Sequence, residues 1–79
     1  MERINARSFV KLIIVGAGNG GRALLEQLNN DPSIAILGIA DVELQSQGIL
    51  LAKDLAIPYS NNFVELINKH KDGVDIIID

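Results

Sequence analysis

Apolar residues in this chain fall into four short runs of strand length, separated by segments in which apolar positions recur at helical spacing. The first run, Val-Lys-Leu-Ile-Ile-Val at residues 10–15, is rich in β-branched residues and is stopped by Gly16, which predicts a strand with both faces mostly covered. Arg-Ala-Leu-Leu-Glu-Gln-Leu-Asn-Asn at residues 22–30 predicts a helix that starts near Asn19 or Gly20 and carries Leu24, Leu25 and Leu28 on one face. Asn30, Asp31 and Pro32 end it. Residues 34–40 (Ile-Ala-Ile-Leu-Gly-Ile-Ala) predict a second strand closed by Asp41. Gly38 within it is either a small cost or a place where something packs close.

Residues 44–46 read as loop, and residues 48–56 as a second helix that Pro58 keeps from extending. A short third strand is expected over 57–60. Asn61 or Asn62 then caps a third helix beginning at Phe63, whose last turn, through Lys69, His70 and Lys71, is basic as the helix dipole prefers. Residues 74–78 predict a final strand. This alternation calls for an α/β, doubly wound parallel sheet of about four strands in the order 3-2-1-4, with helices on both faces. Residues 1–8 are polar and unpatterned and read as a tail, or as a linker from an earlier domain. The last strand is as apolar as the first and would normally have another beside it. Residues 9–79 are therefore expected to be the N-terminal portion of a longer domain, with homodimerisation through the exposed edge strand as the alternative.

Composition narrows the chemistry. In 79 residues there is room for one small core, which at this size buries only about 60% of the unfolded surface. Cysteine is absent, which excludes disulfides, thiolate zinc sites and cysteine nucleophiles, and makes a cytoplasmic setting the expectation. Seven Lys and Arg against ten Asp and Glu give a net charge of -3, with no basic stripe, so a nucleic-acid surface is not expected. No apolar stretch approaches the roughly 18 residues of a membrane span, and the first residues lack a signal-peptide apolar region.

The segment that carries chemistry is Gly16-Ala17-Gly18-Asn19-Gly20-Gly21, a G-x-G-x-x-G pattern with Gly16, Gly18 and Gly21 in register. A strand precedes it, a helix follows it, and Asp41 ends the next strand 20 positions past Gly21. In that context Gly16 would permit a tight exit from the strand, Gly18 would let a pyrophosphate approach backbone N–H groups, and Gly21 would let helix and strand pack closely. The positive end of the helix would hold phosphates without a lysine. Asp41 would accept hydrogen bonds from the adenosine ribose hydroxyls and repel a 2′-phosphate. No Arg or Lys lies between Arg22 and Lys53, so NAD is favoured over NADP as the cofactor.

The bland readings stand beside these. The glycines could form an ordinary strand-to-helix turn, and Asp41 could cap the following loop. Asn19 could offer its amide to a phosphate or cap the helix, and Arg22 could reach the pyrophosphate or stay a solvated cation. Tyr59 could lie near the adenine or fill the sheet edge. Glu65 and Lys69 read as an i,i+4 surface pair, and Asp75 and Asp79 as loop acids bracketing the last strand. No metal cluster or nucleophile-base pair can be assembled, so the residues read as a binding module without catalytic residues of its own.

The runs KLIIVGAGNGGRALLEQL, IAILGIADV, GILLAKDLAIPYSNNFVELI and VDIIID, spanning about residues 10–79, resemble the N-terminal NAD(P)-binding Rossmann domains of oxidoreductases. The inositol dehydrogenase/glucose-fructose oxidoreductase group and the homoserine and aspartate dehydrogenases are the families meant. The middle portion is also similar to the NAD-binding half of Rex-type redox-sensing repressors and to a Rossmann-like module of some bacterial sensor histidine kinases. The resemblance implies a nucleotide-binding role, with Gly16, Gly18 and Gly21 as phosphate-loop positions and Asp41 as the ribose ligand. It leaves open whether the parent is an NAD-dependent oxidoreductase or a nucleotide-sensing regulator. Ala56 stands where many relatives have glycine.

Overall fold

The computed structural model describes residues 10–16 and 18–79; the tail expected over 1–8 lies outside them. Seven elements alternate along the chain: β1 (Val10–Val15), α1 (Asn19–Asn29), β2 (Ile34–Ala40), α2 (Gln47–Asp54), β3 (Tyr59–Ser60), α3 (Phe63–Lys69) and β4 (Ile76–Ile78). The four strands form one parallel sheet in the order β3-β2-β1-β4, as the alternation requires. None of the helices among the described residues is long and apolar enough to cross a membrane.

Two apolar layers cover the sheet. On one face Leu12 and Ile14 of β1 and Ile39 of β2 pack with Leu25 of α1 and with Ile49 and Ala52 of α2, and Leu24 and Leu28 lean on the same cluster. On the other, Ile13 and Ala40 meet Leu66 of α3, with Leu37, Ile67 and Val74 around them. The near-continuous apolar run of β1 is thus explained, because Leu12, Ile13 and Ile14 alternate between the faces and all three are buried. Each such side chain withdrawn from water contributes about 1.5–3 kcal/mol.

A bulge interrupts the β1–β2 ladder: Leu12 faces Ile36, but the next residue, Ile13, faces Gly38. Leu37 is the extra residue, and the pleat beyond it is re-phased so that Ile39 joins the α1/α2 layer and Ala40 the α3 layer. Gly38 sits at the closest approach. A Cβ there would fall 2.8 and 2.9 Å from the Leu66 methyl groups and 3.2 Å from the Pro58 carbonyl, so of the two readings of this glycine the close packing is the one realised.

Several element ends differ from expectation, each for a local reason. Helix α2 stops at Asp54, before Pro58 can matter: the Ala56 N–H bonds the Lys53 carbonyl at 3.2 Å and the Ile57 N–H bonds the Ala52 carbonyl at 2.9 Å. This paired closure needs a left-handed residue after the cap, and Ala56 supplies it at φ 58°. With the Ile57 N–H spent there and Pro58 lacking one, β3 shrinks to Tyr59–Ser60. Helix α3 begins where expected, Asn62 Oδ1 accepting from the Glu65 N–H at 3.2 Å, but ends at Lys69 with His70 as its cap. The expected Glu65–Lys69 pair does not form. Glu65 Oε1 lies 3.3 Å from Ser60 Oγ, which itself accepts from the Asn62 N–H at 3.0 Å and so ties β3 to the helix.

Strand β4 is also shorter than expected because Asp75 is occupied otherwise. Its backbone N–H bonds the Lys11 carbonyl at 2.7 Å while its carboxylate accepts from the Lys11 N–H at 2.9 Å, a two-sided clamp on the start of β1. At the turn into β2, Asp31 Oδ1 accepts from the Ser33 hydroxyl at 2.6 Å and the Ser33 N–H at 2.9 Å. These bonds hold the Asp31 carboxyl below its ordinary pKa, so the turn is held at neutral pH and loses this support only as acid protonates the group.

Two substitutions test this account by urea denaturation. Ala56→Gly should stabilise the chain by about 0.5–1 kcal/mol by relieving a left-handed alanine, whereas Gly38→Ala should destabilise it by about 1–3 kcal/mol. Equal midpoints for all three proteins would contradict both assignments.

Candidate functional site

The strand order places a reversal between β1 and β4: α1 and α2 lie over one face and α3 over the other. The chain therefore diverges at the carboxyl end of β1, and the divergence leaves a crevice there. Gly16 stands at its mouth with φ 92°, a left-handed conformation that an L side chain rarely adopts, and its N–H bonds the Ala40 carbonyl at 2.8 Å. The turn holds β1 to β2 for one residue past the strand and then releases the chain toward α1. Ala17 lies outside the described residues.

Helix α1 opens without a side-chain cap. Gly18 is the N-cap residue and has no side chain to accept from the first turn, which contains no acid. Of the two readings weighed for Asn19 the cap is not realised: the helix starts at Asn19, as its sequence suggested, with Asn19 as its first helical residue and exposed. The first turn thus lies at the positive end of an 11-residue helix with no side-chain cap bond. Gly18 and Gly20 differ from Gly16 in a telling way. Neither has positive φ, and an added Cβ would meet nothing within 4 Å at either position. The fold demands glycine at Gly16 but at neither of these.

Gly20 and Gly21, with Ile14, Val15, Gly16, Leu24, Ile78 and Asp79, line a hollow of about 290 Å³ on the β4 side of the turn. On the β2 side lies a second, mostly apolar hollow of about 280 Å³ formed by Val15, Gly16, Ala40, Asp41, Val42, Asn61 and Phe63. Gly16 and Val15 border both, so the two hollows flank the glycine turn. Apolar surface is unusually open around the second: Val42 is 89% exposed and Phe63 48%. Both follow strand ends that the backbone fixes, since the Asp41 N–H bonds the Ser60 carbonyl at 3.1 Å.

Asp41 is brought to this hollow at the end of β2, and it also performs the loop role weighed for it, its Oδ1 accepting from the Glu43 N–H at 2.9 Å. Arg22 turns along the helix surface rather than into either hollow: Nη1 lies 3.4 Å from Gln47 Oε1 and Nε 3.9 Å from Glu26 Oε1, both charged side chains well exposed. Tyr59 fills the sheet edge beneath Lys53, whose Nζ stands 5.4 Å from the ring centroid, and lines neither hollow. His70 lies at the opposite end of the sheet, partly buried at the end of α3, in an open depression lined by Lys11, Lys69 and Lys71. Among the described residues no group of acids and histidines could hold a metal ion.

The arrangement thus gathers Gly16, Gly18, Asn19, Gly20, Gly21 and Asp41 at one end of the sheet. Sequence reasoning missed the wall made by Val42, Asn61 and Phe63, apolar except for the Asn61 amide. Its signal was available: three residues that directly follow, or nearly follow, the ends of adjacent strands β2 and β3 belong to one edge of a parallel sheet.

Glycine substitutions separate fold from site. Gly16→Ala should lower stability by about 1–2 kcal/mol through backbone strain alone, while Gly20→Ala should raise it by about 0.5–1 kcal/mol, because it replaces a helical glycine facing open space. Chemical denaturation of the two variants decides it; destabilisation by Gly20→Ala would mean that the space is already filled by protein.

No protein-family model matches this chain, and no curated protein matches it.

Proposed function

We propose that the chain is a dinucleotide-binding module, with NAD as the favoured ligand, of the kind that forms the cofactor half of a Rossmann-type NAD-dependent oxidoreductase. The observation that carries the reading is Gly18. It caps its helix without a side chain, in a backbone conformation that does not require glycine, and beside space that no atom of the described residues claims within 4 Å. Glycine is an ordinary N-cap residue, so what points to a ligand is the space beside this helix terminus, which the fold itself leaves unused.

The surroundings fit a dinucleotide in each part. Open N–H groups at a helix terminus attract phosphate oxygens, and a Cβ-free approach lets a pyrophosphate reach them. Val15 pairs with Ala40, so Asp41 follows β2 one strand away from the glycine turn, on the side where the ribose of a bound dinucleotide would offer its hydroxyls. Its charge favours a free diol over a 2′-phosphate, by simple repulsion. The apolar hollow beyond Asp41 suits a flat base, and the hollow beside Ile78 suits the other half of the ligand.

The measurement is a thermal-shift titration with NAD, NADH, NADP, CoA and ATP. At 100 times its dissociation constant a ligand adds about 2.7 kcal/mol, a melting shift of roughly 10 °C or more in so small a domain. NAD or NADH should give such a shift and NADP should not. Asp41→Ala should narrow the gap between NAD and NADP, and Gly18→Ala should weaken NAD about 10-fold or more while lowering the stability of the free chain by no more than about 1 kcal/mol, the loss of a glycine N-cap. A chain that no nucleotide stabilises, or a Gly18→Ala variant that binds NAD normally, would refute the reading.

A further inference from the structure

We infer that Asn61 reads the nucleobase, pairing its side-chain amide with the amino-bearing edge of an aminopurine in the hollow between Asp41 and Phe63; the inference rests on the dinucleotide reading above. The hollow has seven lining residues, and among their side chains only those of Asp41 and Asn61 are polar. Asp41 is committed in part to the loop, through its bond from the Glu43 N–H. Asn61 is not committed: its amide has no hydrogen-bond partner among the described residues, although both neighbours are engaged, Ser60 with Glu65 and Asn62 as the cap of α3.

Position is set by those neighbours. The Ser60 carbonyl accepts from the Asp41 N–H at 3.1 Å, and the Asn62 side chain bonds the Glu65 N–H at 3.2 Å, so Asn61 is held between two fixed residues at the edge of the hollow. A base that enters places its faces against Val42 and Phe63 and leaves its polar edge to be satisfied. An amide supplies one acceptor and two donors on a planar group, which matches an exocyclic amino group beside a ring nitrogen. An aspartate or a lysine in this place could meet only one of the two.

The test is a thermodynamic cycle between residue and ligand. NAD and its analogue with hydrogen in place of the base 6-amino group are titrated by calorimetry into the wild-type chain and into Asn61→Ala. Because the Asn61 side chain is exposed and makes no hydrogen bond among the described residues, the variant should melt at the wild-type temperature. NAD should bind the variant about 10-fold more weakly, whereas the analogue, already weaker for the wild type, should lose less than about 2-fold. Equal losses for both ligands, or no loss for either, would overturn the role of Asn61 and leave the dinucleotide reading standing. If neither ligand binds the wild-type chain, the dinucleotide reading fails and this inference falls with it.

Discussion

Strand β1 must be covered on both faces, and most of the architecture follows from that constraint. Leu12 and Ile14 need a layer on one side and Ile13 a layer on the other, but a single crossover helix can cover only one. Crossovers of constant hand give two layers only if the chain turns back past its first strand, so that β2 and β3 lie on one side of β1 and β4 on the other. The reversal that completes the core is also what opens the crevice at the end of β1. Core and site are thus two consequences of one topological requirement, and the glycine turn lies where they meet.

Glycine serves the two in different ways. Gly38 is a matter of packing, because the bulge at Leu37 turns it toward α3 and leaves no room for a Cβ beneath Leu66. Gly16 is a matter of backbone conformation, at φ 92° with open space around it. Gly18 and Gly20 satisfy neither need. A helix that begins Asn-Gly-Gly gives up local stability at each glycine, and no capping side chain offsets it. Helix α3, by contrast, is capped by Asn62 and braced through Ser60 and Glu65. The difference falls on the helix whose amino end faces the reversal point.

Strand and helix order were legible because burial on both faces leaves a direct trace in composition: β1 and β2 were readable to the residue from uninterrupted runs of Val, Ile, Leu and Ala. What periodicity does not encode is how a chain leaves an element. Ala56 carries no mark of the left-handed conformation it adopts, since that conformation is imposed by the closure of α2 and would be announced only by a glycine. Asp75 looked like a loop acid because its clamp on Lys11 joins residues 64 positions apart. The glycine turn and Asp41 were legible as candidate positions through local spacing, while Asn61 and Phe63 carry no motif and join the hollow only through the strand order, which places the end of β3 beside the end of β2.

Asp41 shows why a structural role and a ligand role need not compete. By accepting from the Glu43 N–H it fixes the loop that leaves β2, and the same bond fixes the carboxylate itself at the sheet edge. A side chain left free there would lose rotamer entropy on meeting a ligand, about 0.5–1.5 kcal/mol for an ordered side chain at an interface. One already held by its own loop has met that cost during folding. Under the dinucleotide proposal the loop-capping aspartate and the ribose acceptor would be one device, in which the turn preorganises the carboxylate, and the strand-end position recommends the residue for both.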